Sequence, residues 1–142
     1  MIDLHLHLDG SLSKEDFVYL ANKNNVSLGE DFPNNIVVPD DCDSLEEYLK
    51  RFDLPCSLLQ DEESISYAFK SLIDRLYDLG YIYAEIRFAP QLHTLKGLDE
   101  KAVILSAIKG LENGLKGKEN FDANIILCLM RHASHETNRK TI

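Results

Sequence analysis

Asp3, His5, His7 and Asp9 alternate with Ile2, Leu4, Leu6 and Leu8 in the opening stretch IDLHLHLDGSL, residues 2–12. Side chains two apart on a strand share a face, spaced about 6–7 Å along the backbone. Two imidazoles so placed can lean toward one ion at about 2.0–2.1 Å each, so His5-Leu6-His7 is a sound start to a zinc site. It is only a start, because zinc takes about four ligands and a catalytic site keeps one position open for water. The competing reading is a half-exposed strand whose histidines face solvent. Three details weigh toward metal chemistry: the acidic flanks Asp3 and Asp9, the strand's place at the head of a β/α series, and the Gly10 turn that follows at once. Strict alternation predicts Asp3, His5, His7 and Asp9 on one face and the four apolar residues on the other.

Other residues offer weaker chemistry. Glu85 and Arg87 lie two apart on an apolar strand and read as a buried structural ion pair. Leu45, Tyr48, Leu49 and Phe52 fall at i, i+3, i+4, i+7, a helical face that on spacing alone reads as core. Met130 and His132 share a face at the end of a third strand, with Arg131 on the other. His93 and His135 read as solvated histidines of polar loops, and Cys128 as packing inside an apolar strand.

The elements that must position these groups follow from periodicity and punctuation. Residues 2–8 read as a strand. A helix follows, with Ser13 as cap, Asp16 three residues on, and a stripe of Phe17, Leu20 and Ala21. Residues 27–43, rich in turn formers, read as loop. Ser44 and Glu47 form a capping-box pattern that opens a helix over 44–54. Residues 61–80 read as a strong amphipathic helix, with acids in its first turn and Gly80 placed to end it. Residues 81–90 are apolar and β-rich up to Pro90, and residues 99–116 form a helix capped by Asp99. Residues 124–132 read as the third strand, and the polar ASHETNRKTI that follows starts no clear packed element.

Strands that alternate with helices imply parallel pairing with helical crossovers. The second and third strands are apolar enough to be covered on both faces, but the first is not. A closed α/β barrel resolves this, since it can hold polar groups near the carboxyl ends of its strands. A doubly wound sheet is the runner-up, but DGSL is not the glycine-rich phosphate loop such a sheet offers after its first strand.

The totals narrow the classes. The chain has 142 residues, which suggests one domain, and a net charge of -9, which argues against nucleic-acid backbone and anionic membrane as partners. It shows no apolar run of transmembrane length and no secretory signal. Three scattered cysteines without a CxxC fit a reduced, cytoplasmic protein.

Four segments, DLHLHLDGSL, SLEEYLKRFDL, YAEIRFAPQL and ILCLMRH, occur in the order and at roughly the spacings of one family. By them the chain resembles the amino-terminal part of the adenosine deaminase family, zinc hydrolases built on a (β/α)8 TIM barrel. The resemblance spans nearly the whole chain and implies about three of eight strands. It implies that His5 and His7 are zinc ligands and that Asp9 holds a ribose hydroxyl. His7, Leu45, Tyr48, Leu49, Phe52 and Met130 would contact the purine nucleoside, with Ala89 and Leu92 nearby. Tyr48 stands where the family often has Phe, and Ala89 where it often has Ser. The implied reaction is hydrolytic deamination at purine carbon 6, with adenosine or deoxyadenosine favoured because Asp9 would repel a 5′-phosphate. Another purine deaminase, a histidinol-phosphatase-type phosphoesterase and a non-catalytic metal-binding or assembly module are the alternatives. The family's third His ligand, acidic proton donor, catalytic His and paired-Asp motif do not occur in this chain. The residues are therefore expected to form a single partial domain, inactive alone, with exposed strand edges that favour self-association.

Overall fold

β1 (Ile2–His7) leads into α1 (Lys14–Asn24), α2 (Phe32–Asn35), α3 (Leu45–Lys50), α4 (Asp53–Leu58) and α5 (Glu62–Asp78). Then follow β2 (Tyr83–Phe88), a 3-10 turn (Pro90–His93), α6 (Glu100–Leu115), β3 (Asp122–Leu127) and α7 (His135–Lys140). The computed structural model describes residues 1–38, 42–131 and 133–142. His132, expected on a face with Met130, and residues 39–41 of the expected loop lie outside the described residues. Among those described, no helix is long and apolar enough to cross a membrane.

The three strands make one parallel sheet in the order β1-β2-β3. Its helical face is covered by α5 and α6. α5 is capped by Asp61, whose side chain accepts from the Ser64 amide, and it ends at Leu79 with Gly80 in the left-handed region (φ 78°). The α5 stripe Ile65, Ala68, Phe69 and Leu72 is buried together with Val103 and Ala107 of α6 and Ala84, Ile86 and Phe88 of β2. The Phe69 and Phe88 rings meet edge to face at 5.3 Å. Glycine lets the two helices close. A Cβ at Gly110 would lie 2.4 Å from the Ser66 carbonyl oxygen, and one at Gly114 would lie 2.7 Å from Ile73 Cβ. The opposite face of the sheet is open, with Tyr83, Glu85 and Arg87 half-buried.

α1 shows the full capping box: Ser13 Oγ accepts from the Asp16 amide, and Asp16 accepts from the Ser13 amide. Asp16 is buried and also takes the Ser71 hydroxyl and the Arg75 guanidinium. One carboxylate thus joins α1 to α5.

Five details depart from the sequence reading. A bulge in β1 breaks its alternation: Asp3 pairs with Ala84 and Leu6 with Ile86, so β1 uses one more residue than β2 over that interval. Asp3 therefore shares the helical face, whereas His7, paired with Arg87, keeps the open one. The expected helix over 44–54 is two short helices, because Pro55 has no N–H to give the Arg51 carbonyl. The third strand runs over Asp122–Leu127 and stops where its neighbour stops, the last link being Cys128 N–H to Phe88 O at 2.9 Å. The segment read as loop contains α2, opened by Phe32 and Pro33. The tail contains α7, capped by Ser134 and tied down by Asn138, which bonds both the N–H and the C=O of Met130. His135 is exposed, as expected, but on that helix rather than in a loop.

Two further expectations fall. No ion pair joins Glu85 to Arg87 among the described contacts. Glu85 accepts from the Tyr83 hydroxyl at 3.3 Å and Arg87 Nη2 donates to the Leu4 carbonyl at 3.2 Å, so each finds a neutral partner. His93 is fully buried rather than solvated, because the 3-10 turn folds it under α4.

Candidate active site

The carboxyl end of β1 delivers His5, His7 and Asp9 to one end of the sheet. The His5 and His7 rings lie 5.5 Å apart, centroid to centroid, on the exposed side of the strand. Asp3, the expected acidic flank, instead turns back locally: its Oδ1 accepts from the His5 N–H at 2.9 Å. Among the described residues no group of three or more His, Cys, Asp or Glu could hold a metal ion. The two imidazoles suit zinc's preference for nitrogen donors and amount to half of its usual set.

The turn after β1 is fixed from several sides. Leu8 N–H bonds Arg87 O, Ser11 N–H bonds Leu8 O, and the Ser11 hydroxyl bonds His7 O at 2.5 Å. The Arg75 guanidinium reaches the Ser11 carbonyl while it holds Asp16. Gly10 has a steric role, since a Cβ there would sit 3.2 Å from Phe52 Cε1. The absence of a side chain lets the Phe52 ring lie on the turn.

Beside this turn opens a cavity of about 460 Å³. One wall is the α3–α4 hairpin with Tyr48, Leu49 and Phe52. The opposite wall is the end of β2 and the 3-10 turn, with Phe88, Ala89 and Leu92, and the third side carries Cys128 and Met130. His7 and Asp9 line the floor with Leu6, Gly10 and Ser11. Of the residues singled out from sequence, the fold brings together His7, Asp9, Tyr48, Leu49, Phe52, Met130, Ala89 and Leu92. Leu45 does not join them and stays 72% exposed, because it begins α3 on the solvent side of the hairpin. His5 stands next to His7 but outside the lining. Cys128 was expected to be packing inside a strand; it lies past the end of β3 and faces the cavity. Leu6, Ser11 and Phe88 also line the cavity without a signal of their own in the sequence, although Ser11 sits inside DGSL and Phe88 precedes Ala89 directly.

Among the described residues, Asp9 is the one buried carboxylate that lines this cavity. Its Oδ1 has no hydrogen-bond partner among the described residues, and its Oδ2 accepts from the Cys56 thiol at 3.8 Å. Burial and the negative charge of Asp9 push that thiol up to about 12. Burial also raises the Cys128 thiol. Both thiols are therefore neutral near pH 7. An apolar slot with one buried, half-satisfied carboxylate on its floor suits an apolar ligand that also presents a hydrogen-bond donor.

The geometry defines a class first: β/α units of a barrel with histidines and a carboxylate at the carboxyl end of the first strand, where such barrels place their sites. Comparison with known proteins then gives the family. The adenosine deaminase family description matches residues 1–142. Adenosine deaminase of Haemophilus ducreyi is 48% identical over 147 aligned positions, spanning 100% of this chain and 43% of that protein. Adenosine deaminase of Clostridium perfringens is 42% identical, over 94% of this chain and 41% of its own. The chain belongs to the adenosine deaminase family and spans about 40% of the length of these curated relatives. Among solved structures, adenine deaminase from Arthrobacter aurescens superposes with a TM-score of 0.79 at 24% identity, covering 96% of this chain and 41% of that one. Arabidopsis N6-mAMP deaminase does so with 0.73 at 21% identity, covering 99% and 44%. These two likenesses carry the fold, three strands of a TIM barrel.

Proposed function

We propose that the whole protein hydrolyses the C6–N6 bond of adenosine or deoxyadenosine, consuming water and releasing ammonia and the corresponding inosine, and that residues 1–142 are part of that single catalytic domain. The observation that carries this reading is the cavity itself. Two adjacent histidines, a buried carboxylate with one bare oxygen, and an aromatic-aliphatic slot converge at one end of the sheet. His5 and His7 would hold a zinc ion, which supplies the Lewis acidity that makes water a nucleophile at neutral pH. Tyr48, Leu49 and Phe52 cover the base and exclude bulk water, and Met130 and Leu92 close its edges. Asp9 Oδ1 accepts a hydrogen bond from a ribose hydroxyl. A carboxylate at that place opposes a 5′-phosphate, which separates this reading from that of the nucleotide-named Arabidopsis structure. The residues described here hold only part of a metal set, so turnover belongs to the whole protein and the 142-residue chain alone is inactive.

The test is ammonia release from adenosine, deoxyadenosine and AMP by the protein as the gene encodes it, with its zinc content measured alongside. Adenosine turnover well above AMP turnover, and loss of both ammonia release and zinc in His5→Ala plus His7→Ala, supports the reading. Undiminished ammonia release in that double variant would sink it.

A further inference from the structure

Gln60 and His93 are both buried, yet neither faces the cavity. Gln60 sits in the short link between α4 and α5. Its Nε2 donates to the Cys56 carbonyl at 2.7 Å and to the Leu92 carbonyl at 2.8 Å, and its Oε1 accepts from the Leu95 N–H at 2.9 Å. His93 closes the 3-10 turn, and its Nδ1 meets the Leu59 carbonyl at 2.9 Å. A carbonyl only accepts, so Nδ1 carries the hydrogen. Nε2 is buried and has no partner among the described residues, and the Phe88 ring lies 5.7 Å from the imidazole.

The hydrogen bonds run between two groups of residues. On one side are Cys56 and Leu59, at the end of the hairpin that carries Tyr48, Leu49 and Phe52. On the other are Leu92, His93 and Leu95, in the segment that carries Ala89 and Leu92. These are the two facing walls of the candidate site. α3 has little else to hold it, since Tyr48 and Leu49 are exposed and α3 buries no residue, whereas α4 is anchored by its buried Pro55 and Leu58. Apolar contact is non-directional, so it does not by itself set a spacing between walls. Hydrogen bonds with both ends buried do, because stretching one leaves a buried group unsatisfied.

We propose that Gln60 and His93 are positioning residues, a two-pronged latch that sets the separation of the lid hairpin from the β2 wall and hence the fit of the purine between them. The inference rests on the nucleoside-deaminase reading for its ligand but not for its geometry. Cys56 reports on the latch directly, since its carbonyl receives Gln60 and its thiol lies beneath the hairpin against Asp9.

The test compares the whole protein with Gln60→Leu, His93→Leu and the conservative His93→Asn, whose amide can still donate near the Nδ1 position. Two quantities are measured: the alkylation rate of each cysteine by mass spectrometry, and kcat and KM for adenosine. His93→Leu should raise Cys56 alkylation and KM about tenfold, the factor carried by loss of one satisfied buried hydrogen bond, and Gln60→Leu, which loses three, should raise them at least as much, with kcat within about twofold in both. Cys42 alkylation should not change, and His93→Asn should restore both readouts. The latch is overturned if Cys56 reactivity and KM stay at wild-type values. It is equally overturned if all three cysteines become reactive together, or if His93→Asn behaves like His93→Leu, since either would mark a general loss of stability. Should Gln60→Leu fail to fold, the His93 pair carries the same comparison. A wild type that leaves adenosine untouched would refute the substrate reading, and the Cys56 rates would still judge the latch.

Discussion

Two helical stripes in this molecule share one spacing and have opposite fates. Ile65, Ala68, Phe69 and Leu72 of α5 and Leu45, Tyr48, Leu49 and Phe52 of the α3–α4 hairpin both fall at i, i+3, i+4, i+7. The first is buried between the sheet and α6. The second is half open, with Leu45, Tyr48 and Leu49 exposed and Tyr48, Leu49 and Phe52 lining a cavity. The difference lies in what faces them. α5 meets a helix whose Gly110 and Gly114 allow backbone approach, so the stripe closes into core. The cavity side of α3 and α4 faces the β1 turn and the end of β2 across a gap with room for a ligand, while α4 packs its other side on α1. A period of 3.6 states which side of a helix is apolar and does not state what covers it.

The sharpest break of that contrast is Phe69→Ala. It should cost about 3–5 kcal/mol of stability in a denaturant titration, because a fully buried ring leaves a cavity that α5 and β2 cannot fill. A cost below about 1 kcal/mol would mean that α5 packs more loosely than its burial states. Next is Gly110→Ala, expected to destabilise by about 1–3 kcal/mol through overpacking, since its methyl would collide with backbone rather than with a flexible side chain. Unchanged stability there would show that α5 and α6 separate at little cost.

A pH effect tests the latch side of the hairpin. Burial holds the His93 imidazole below its usual 6.5. An unfolded His93 takes a proton near 6.5 and the folded one resists it, so the stability is present above that pH and is lost as pH falls through it. Stability should therefore fall as the pH is lowered from about 7 through 6.5, and His93→Asn should flatten that fall. The depressed carboxyls of Asp61 and Asp74, each held down by lysine contacts against the opposing effect of burial, act below 3.8 and leave that window clear. Equal pH slopes in wild type and His93→Asn would remove His93 as the cause. The smallest effect belongs to Leu45→Ser, which should change stability by less than about 0.5 kcal/mol. It should also leave adenosine KM unchanged, because Leu45 is solvent-facing and off the cavity. A measurable rise in KM would place Leu45 back in the site.

Much of the fold is legible in the residues alone. Ser13 with Asp16, Gly80 and Asp99 mark ends of the long helices because caps answer to local backbone chemistry. Most of the residues singled out for a site do meet around one cavity, because the motif segments carry them to neighbouring strand ends. What was missed shares another cause. Pro55 splits a helix by removing one donor, a bulge turns Asp3 away from His7, and Asn138 holds a polar tail helix whose anchor is Met130. Each depends on a partner that no periodicity reveals.

By itself the sequence determined the alternation of strands and helices, the extent of the long helices, the apolar stripes and the metal-suited His5-Leu6-His7, since all of these are set by neighbours within a few residues. Only the tertiary structure decided which stripe became core and which a pocket wall, that His93 and Gln60 are buried between those walls, and that Asp9 keeps a bare oxygen on the cavity floor. Burial and hydrogen-bond satisfaction depend on residues tens of positions apart, whose meeting is fixed by the parallel pairing of the strands and by where the helices can close.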